Sequence, residues 1–381
     1  MLFGYSVRTV KTQRATVLPA LLAVIVAVAG ITGVMVVFEG MARVLGGGTP
    51  TGNAVLVSKR ASYYIDSRFP MDARGKLAVL PGIASVGGEP QVAYELLESG
   101  RTWKADGILT EFTMRGVDPL SFTLRPDVQL TSGERPENGK VGVIIGEGLA
   151  KLLRDGKIGD KLRVGKYMMP IVGTFRARGT SLDSEVWLPR TLLADAYGVN
   201  RISYALVKTT GPGAIDELSR AIGQARELNA EAVEEREFDR RAMGRLDPVV
   251  KSIFALILIL SVGATLACAS TMYGMFLSRQ RELATLMAIG FTKRQVAVML
   301  LRESLAIALV GGGLGMALAM TFSGRDLTMI ALNLTIVYQT VLTTRALLVG
   351  AASMAAIGLL GGGVAVAQIL RLDILRSLRS A

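Results

Sequence analysis

The sequence predicts an α-helical membrane protein with four transmembrane helices and a large α+β extracytoplasmic domain inserted between the first two of them. Half of its 381 residues are hydrophobic, and they are bunched rather than spread along the chain. Four apolar runs, 15–40, 250–278, 297–322 and 346–370, are each long enough for the roughly 20 helical residues that cross a bilayer. The interval 41–228 has instead the mixed composition of a domain with a core of its own.

The first apolar run is predicted to remain in the protein as a membrane anchor. It follows a basic segment, residues 1–14, in which Arg8, Lys11 and Arg14 resemble the start of a signal peptide. The run is nevertheless longer than the about 7–15 apolar residues of a signal peptide, and no clear small-residue cleavage site follows it. We therefore expect residues 15–40 to form the first span.

The distribution of charge predicts how the spans are oriented. The net charge is +12, but residues 41–248 hold 29 Lys and Arg against 26 Asp and Glu, a balance that argues against a nucleic-acid-binding domain. The other basic residues gather at particular span ends: Arg8, Lys11, Arg14, Arg279, Arg281, Lys293, Arg294, Arg371, Arg376 and Arg379. By the positive-inside rule these ends are cytoplasmic, so both termini are expected inside and the domain outside.

Strand and helix patterns interleave in the domain without strict alternation, which predicts an α+β fold in two lobes. The predicted strands are 54–58, 142–145, 161–164, 170–175, 185–188 and 203–207, and the predicted helices are 73–80, 147–156 and 213–227. Residues 323–345, between the third and fourth apolar runs, are predicted to form a short outer loop or interfacial segment. A fifth span there would place the basic tail, residues 371–381, outside.

Residues 229–249 are predicted to form a stalk helix that continues into the second span. The segment is rich in helix-forming residues and in opposite charges three and four positions apart, such as Glu237 and Arg241. A kink is expected at Asp247-Pro248, because proline disfavours a helical conformation at the residue before it. A continuous helix through this segment and the second span would be a rod of roughly 70 Å.

Residues 279–296 are predicted to form a short amphipathic coupling helix and a turn at the cytoplasmic end of the second span. Leu283, Leu286 and Met287 have the i, i+3, i+4 spacing that places them on one helix face. Gly290 lies where the end of a helix favours a residue with positive φ. The pattern predicts a helix that stops at this glycine.

A second helix is predicted to begin directly after the turn, at about Lys293. Thr292 and Gln295 have the spacing of a capping box, in which each side chain bonds to the backbone of the other residue. Phe291 and Val296 are placed to form the hydrophobic staple beside it. Two helices that meet at an angle beside a membrane would make a rigid lever.

Two pairs of glycines in the third and fourth apolar runs predict close contacts between helices. Gly311 and Gly315 form one small-xxx-small pair, and Gly358 and Gly362 form the other. Such pairs allow helix backbones to approach each other in a membrane. We expect packing at these positions rather than a transport pathway.

The composition excludes several kinds of chemistry. The chain has no histidine and one cysteine, Cys268, so an intrachain disulfide and His-dependent catalysis or metal binding are excluded. No G-x-x-x-x-G-K-[ST] motif occurs, so we expect no bound cofactor and no ATP site of this type in the chain. The carboxylates of Asp183 and Glu185 are expected to lie in a solvated loop. With no catalytic set and no metal site, a membrane-anchored enzyme is disfavoured.

Several segments of the sequence resemble the permease subunits of MacB/LolC/FtsX-type ABC transporters, and most closely MacB-like permeases. The most specific segment is RELATLMAIGFTKRQV, residues 281–296, followed by LLRESL at 300–305. Further similar segments are YSVR (5–8), RGVDP (115–119), VIIGEGLA (143–150), IGDKLRV (158–164), IVGTF (171–175), LDSEVWLP (182–189) and the C-terminal segment 370–379. The resemblance covers most of the chain, although MacB itself carries a fused ATPase domain that this sequence lacks.

The resemblance implies a non-catalytic permease subunit of the bacterial inner membrane that works with a separate cytoplasmic ABC ATPase, on which ATP and Mg²⁺ would bind. It also implies a second permease copy, identical or paralogous, and allows a periplasmic adaptor. The residues expected to couple to the ATPase are Arg281, Glu282, Leu283, Leu286, Ile289, Gly290, Lys293 and Arg294.

The function expected from this resemblance is mechanotransmission, in which ATP hydrolysis drives movement of the outer domain. The cargo would be an envelope substrate such as a lipoprotein, a lipid, a peptide or an amphiphilic drug. An alternative is a signalling or cell-division scaffold that activates an envelope hydrolase, as FtsX-like members do. The sequence leaves the identity of the cargo open.

Overall fold

The computed structural model describes residues 14–45, 52–136, 139–244, 247–278, 280–331 and 334–371. The chain divides into two compact units. The helical unit comprises residues 1–40, 248–325 and 340–381, and the α/β domain comprises residues 41–247 together with 326–339. The predicted segments 1–13 and 372–381 lie outside the described residues.

The helices and strands are named here in chain order. The helices are α1 (Arg14–Leu45), α2 (Ala73–Ala78), α3 (Leu120–Leu124), α4 (Glu147–Leu152), α5 (Arg190–Tyr197), α6 (Ala214–Gln224), α7 (Glu235–Gly244), α8 (Asp247–Ser278), α9 (Gln280–Ala288), α10 (Lys293–Met320) and α11 (Thr344–Arg371). The strands are β1 (Asn53–Ser58), β2 (Phe69–Pro70), β3 (Ser85–Val86), β4 (Glu89–Pro90), β5 (Val92–Trp103), β6 (Leu109–Val117), β7 (Gln129–Gly133), β8 (Val143–Gly146), β9 (Lys161–Val164), β10 (Tyr167–Arg176), β11 (Glu185–Pro189), β12 (Arg201–Ile202), β13 (Tyr204–Lys208), β14 (Ala230–Glu234), β15 (Asp326–Ala331) and β16 (Leu334–Gln339).

The helical unit contains helices long and apolar enough to cross a membrane. Among the described residues, three segments meet this condition, Val17–Val44 in α1, Lys293–Met320 in α10 and Thr344–Val364 in α11. Helix α8 is 32 residues long, and its described apolar segment, Lys251–Ala267, is shorter than a span. The three long segments fit the prediction of a membrane protein, and the count of four spans stays a prediction.

The α/β domain is built on one mixed sheet that contains ten strands of the described chain. The strand order is β14-β1-β13-β5-β6-β11-β8-β10-β7, and β9 pairs with β10 off this path. Strand β5 belongs to both halves of the sheet. Its first residues, Val92 to Glu95, pair with β13, and residues Leu96 to Trp103 pair with β6.

Each half of the sheet packs against its own hydrophobic core, so the α/β domain has the two lobes that the sequence predicts. In the first lobe, Leu56 of β1 and Val207 of β13 lie in one buried cluster with Leu77 of α2 and Leu218 of α6. In the second lobe, the core forms between β6, β8 and β11 on one side and α4 and α5 on the other. Alternate residues of the central strands face opposite sides of the sheet, as the strand geometry requires.

The strands predicted from the sequence are present within a few residues, but the longest strand, β5, and its neighbour β6 are not among them. Residues 92–103 and 109–117 carry charged and small residues between the apolar ones, including Glu95, Arg115 and Gly116. These interruptions hide the alternation on which strand prediction depends. The buried charged residues of these strands have partners that are distant in the sequence, as Arg115 has in Glu185.

The stalk helix predicted from residue 229 is wrong at its start. Residues Ala230–Glu234 form strand β14, which pairs antiparallel with β1 at the edge of the sheet. Ala230 and Ala232 are buried in the core of the first lobe, and Val233 is buried on the opposite face. This burial outweighs the helix preference of the local sequence, because propensity is a weak local term. The helix begins at Glu235, and Glu237 pairs with Arg241 at 3.1 Å.

The segment between α10 and α11 is an antiparallel hairpin rather than an irregular loop. Strands β15 and β16 pair in register from Asp326 with Gln339 to Ala331 with Leu334. By its contacts this hairpin belongs to the α/β domain.

We predict that Gly146→Ala destabilises the α/β domain. A Cβ at this position would lie 2.2 Å from the backbone oxygen of Asp183, although the φ of Gly146 is an ordinary −64°. The backbone has to move, and overpacking of this kind costs about 1–3 kcal/mol. Thermal unfolding of the full chain in detergent, followed by the fluorescence of the buried Trp187, measures the loss.

Gly223→Ala is the matched control. A Cβ at Gly223 meets nothing within 4 Å, and the residue lies near the end of α6. Alanine favours helix over glycine, so the control should leave the melting temperature unchanged or raise it. Equal losses for the two variants would contradict the packing at Gly146.

Candidate coupling site and buried ionic network

The amphipathic helix α9 is fixed to the helical unit by its apolar face. Leu283 is fully buried and Met287 nearly so. They form one cluster with Val296, Met299 and Leu300 of α10 and Ile369 of α11, and Leu286 and Phe291 pack against it. Helix α9 is therefore held by two of the long apolar helices.

The turn between α9 and α10 has the geometry that its residues predict. Gly290 has a φ of +112°, a conformation that L side chains rarely adopt. The amide of Phe291 donates to the carbonyl oxygen of Leu286 at 3.2 Å. Thr292 Oγ1 accepts from the amide of Gln295 at 3.3 Å, and Gln295 Oε1 accepts from the amide of Thr292 at 2.9 Å. Both halves of the predicted capping box are confirmed.

Apart from Arg281, whose side chain lies outside the described part of the structure, the residues predicted to couple to an ATPase fall into buried and accessible groups. Leu283 contacts other parts of the chain and has no exposed surface, whereas Ile289, directly after α9, is 72% exposed. Glu282 and Arg294 are exposed. The Nζ of Lys293 donates to the carbonyl oxygen of Leu370 at 3.4 Å. Leu283 is placed to anchor the helix, and the apolar side chain of Ile289 is exposed.

The first glycine pair of α10 lies against α1. A Cβ on Gly311 would be 3.0 Å from the Cβ of Val24. A Cβ on Gly315 would be 2.7 Å from the carbonyl oxygen of Ile25 and 3.0 Å from the amide of Ala29. Glycine is needed at these positions because the backbones of the two helices approach closely.

The second glycine pair, in α11, lies against α10. A Cβ on Gly358 would be 2.9 Å from the Cβ of Ala308, and a Cβ on Gly362 would be 2.9 Å from the Cβ of Ser304. The hydroxyl of Ser304 donates to the carbonyl oxygen of Gly358 at 2.8 Å. Helix α10 is thus in close contact with α1 on one side and with α11 on the other.

The α/β domain contains a buried ionic network that begins at Arg115 on β6. Its guanidinium group binds both carboxylate oxygens of Glu185 on β11, from Nε and Nη2 at 2.6 Å each. Nη1 donates to Glu95 on β5 at 2.8 Å. The indole nitrogen of Trp187 also donates to Glu185, at 2.8 Å. All four side chains are buried.

Arg125 extends the network from the sheet to helix α7. Its Nη1 binds the second oxygen of Glu95, and its Nη2 donates to the hydroxyl of Tyr204 on β13 at 2.9 Å. Its Nε donates to Glu235, the first residue of α7, at 2.9 Å. The hydroxyl of Tyr204 donates to Glu95. The network therefore links four strands to the helix that precedes α8.

The charges of this network are maintained by one another. Burial by itself would raise the pKa of Glu95, but Arg125 and Arg115 outweigh this effect and lower that pKa to about 2. Burial acts to lower the pKa of Arg115, yet its carboxylate partners raise that pKa well above the usual value. Burial raises the pKa of Tyr204 well above its usual value, so it stays a donor. The arginines and Glu95 are therefore charged at neutral pH.

Asp183 and Glu185 do not lie in a solvated loop, and that prediction is wrong. Glu185 is buried between Arg115 and Trp187, and the carboxylate of Asp183 accepts from the amides of Ala177 and Gly179. Within the described residues no group of three or more His, Cys, Asp or Glu could hold a metal ion. The carboxylates serve the structure of the domain.

Two family models match the chain. The model of the MacB-like periplasmic core domain matches residues 16–225, which is more than half of the chain. The model of the FtsX-like permease C-terminal region matches residues 253–374. The chain belongs to the MacB/FtsX-type family of ABC-transporter permeases. The resemblance noted in the sequence is confirmed.

Two solved structures are similar to about half of this permease. The extracellular domain of the noncanonic ABC-type transporter YknZ from Gram-positive bacteria is 18% identical, with a TM-score of 0.37, and the match covers 48% of this chain and 99% of that one. The periplasmic region of MacB from Actinobacillus actinomycetemcomitans is 12% identical, with a TM-score of 0.37, and the match covers 49% and 89% of the two chains. A search of curated proteins gave no significant match.

The buried ionic network of the permease was not predicted from the sequence. The segments RGVDP and LDSEVWLP that carry the family resemblance contain Arg115 and Glu185, respectively. Their likeness to the family is a signal that marks these residues, but it does not show that they form a pair. The network appears only when β6 and β11 lie side by side in the sheet.

We predict that Gly315→Leu disrupts the contact between α10 and α1. The new side chain would meet the α1 backbone within 3 Å and force the helices apart, at a cost of about 1–3 kcal/mol. Gly313→Leu is the control, because a Cβ there meets nothing within 4 Å. Melting temperatures and monodisperse yields in detergent should fall for Gly315→Leu alone. A similar loss at Gly313 would count against the close contact.

We predict that Arg115→Met destabilises the α/β domain by about 3–5 kcal/mol, because it leaves buried carboxylates without their partner. Arg101→Met is the control, since Arg101 pairs with Glu111 but its side chain is 68% exposed, where a pair contributes less than about 1 kcal/mol. Thermal unfolding of the full chain measures both variants. Equal effects would show that the buried pairing does not hold the domain.

Proposed function

We propose that this permease relays ATP hydrolysis by a cytoplasmic ABC ATPase to its α/β domain. The observation that carries the proposal is the capped turn between α9 and α10, in which an exposed apolar residue, Ile289, directly follows a helix that is anchored from inside the chain. An exposed apolar side chain beside charged residues is a suitable centre for a protein contact. The sequence contains no Walker A motif, which fits hydrolysis at a partner.

The packing of α9 supports a mechanical role. A force applied at Ile289 would pass through Leu283 and Met287 to α10 and α11, because these side chains share one buried cluster. Close-packed interiors transmit strain rather than absorb it. The capping box and Gly290 fix the angle between α9 and α10, so the two helices would move together.

The proposed topology has four spans, with α8 as the second. Both termini and α9 face the cytoplasm, and the α/β domain lies outside the inner membrane of a bacterium. This orientation rests on the basic residues near α9 and at the two ends of the chain. A second permease copy would complete the transporter, ATP and Mg²⁺ would bind the ATPase, and a periplasmic adaptor is a further candidate partner.

The cargo is proposed to be an envelope substrate that is moved by the domain rather than through a polar tunnel. Among the described residues of α10, the ionisable side chains beyond its first turn are Arg302 and Glu303. Ion-coupled transporters usually place carboxylates near the middle of their spans, whereas Glu303 lies nearer the start of α10. A lipoprotein, a lipid, a peptide or an amphiphilic drug would fit this mode of action.

We predict that the tagged full chain, extracted from native membranes, recovers an ABC ATPase and that Ile289→Asp lowers its recovery at least tenfold. A tenfold loss corresponds to about 1.4 kcal/mol, which is modest for a central apolar contact. The recovered ATPase is identified by mass spectrometry and by its ATP hydrolysis. Recovery of no ATPase by the unsubstituted chain would overturn the proposal.

Val79→Asp is the matched control for that experiment. Val79 is 80% exposed, like Ile289, but belongs to the α/β domain. Both variants should keep the melting temperature of the unsubstituted chain, because neither side chain is part of a core. Ile289 is preferred to Leu286 as the test position, since Leu286 packs against the buried cluster and its replacement would disturb the fold.

A further inference from the structure

The hairpin of β15 and β16 connects two long apolar helices but packs on the α/β domain. It follows α10 and precedes α11 in the chain. Its residues 326–339 nevertheless belong to the compact unit formed by residues 41–247. The rest of the segment between the two helices belongs to the helical unit. The hairpin is thus a part of the domain that is covalently held between two helices.

Two pairs of polar groups join the hairpin to the second lobe of the domain. The hydroxyl of Thr335 on β16 lies 2.5 Å from the hydroxyl of Thr110 on β6, and both residues are buried. The amide of Val337 donates to Ser184 Oγ at 2.8 Å, and this buried hydroxyl also lies 3.4 Å from the carbonyl oxygen of Val337. Separation of buried hydrogen-bonded groups is unfavourable unless water replaces each partner.

Apolar packing and one ion pair complete the contact. Ile336, Val337 and Tyr338 are each only 7% exposed. A Cβ on Gly148 of α4 would lie 3.2 Å from the Cβ of Val337, so the small residue makes room for the valine. At the rim, Lys151 of α4 pairs with Asp326 of β15 at 3.0 Å. The contact reaches β6, α4 and the segment before β11.

A hairpin of two strands is at best marginally stable in water without a surface to pack on. Four successive residues of β16, Thr335 to Tyr338, are buried in the structure. Thr335 and Val337 contact the domain directly, so the hairpin depends on the domain for its own fold. The buried contacts are made by hydroxyl, backbone and apolar groups, which do not change charge between pH 5 and 8. Such a contact suits a permanent attachment better than a switch.

We propose that the β15–β16 hairpin is a constitutive strap that ties the second lobe of the α/β domain to helices α10 and α11. This inference rests on the proposed function for its mechanical meaning. Movement of α10 and α11, driven at α9, would then reach the domain through the strap as well as through α8. The helical unit would be linked to the α/β domain after α1, after α7 and at the two ends of the hairpin. The domain would therefore move with the helices.

The test is disulfide trapping in the full chain in native membranes. Thr110→Cys and Thr335→Cys are introduced with Cys268→Ala, and a protease site is inserted after the exposed Gly139. Copper phenanthroline is the oxidant. After proteolysis, the fragments that carry positions 110 and 335 should stay together in at least half of the molecules until a reductant is added.

Thr131→Cys with Thr335→Cys is the control pair. Thr131 is exposed on β7, which is four strands from β6 in the same sheet, or about 19 Å at 4.8 Å per strand. This pair should cross-link at least tenfold less. Equal yields, or no cross-link at Thr110 in a chain that keeps its melting temperature, would overturn the docking of the hairpin. Neither measurement needs the ATPase, so failure of the proposed function leaves this result intact.

The permanence of the strap is tested on the complex with the ATPase. ATP with vanadate is compared with no nucleotide, and the yield of the Thr110–Thr335 cross-link should be the same in both conditions. A fall to less than about half with ATP and vanadate would overturn the strap as a constitutive link, because the hairpin would leave the domain during the cycle.

Discussion

Glu95 lies where strand β5 leaves the first lobe of the domain and enters the second, and both of its carboxylate oxygens are bound by arginines there. A carboxylate at this depth would be costly without these partners. Arg115 carries the interaction to β11 through Glu185, and Arg125 carries it to α7 through Glu235. The relation between the lobes and the start of α7 therefore depends on one shared set of charges.

The helical unit follows a different physical rule, in which small residues set the distance between helices. Hydrophobic burial does little to bring helices together when the solvent is lipid, so contact area and close approach decide the packing. Gly315 admits the backbone of α1, and Gly362 admits Ser304 of α10. Helix α9 is held instead by the buried apolar side chains of Leu283 and Met287, as a helix is held in the core of a soluble protein.

These two kinds of packing would suit the movement that we propose for this permease. The domain is held together by its two hydrophobic cores and its buried charges, and the helical unit is held together by close contacts between helices. Each unit is therefore suited to move as a rigid body with little internal deformation. The connections between them are few segments of chain, namely α1, the end of α7 and the two ends of the β15–β16 hairpin.

The sequence by itself determined the features that depend on neighbouring residues. The turn at Gly290, the capping box of Thr292 and Gln295 and the apolar helices are local patterns, and the family follows from motifs that are themselves short. The tertiary structure decided what depends on distant partners. It made a strand of Ala230–Glu234, because β1 offers an open edge, and it buried Glu185 between residues of other strands. It also placed the β15–β16 hairpin on the domain, since a buried contact such as Thr110 with Thr335 joins positions 225 residues apart.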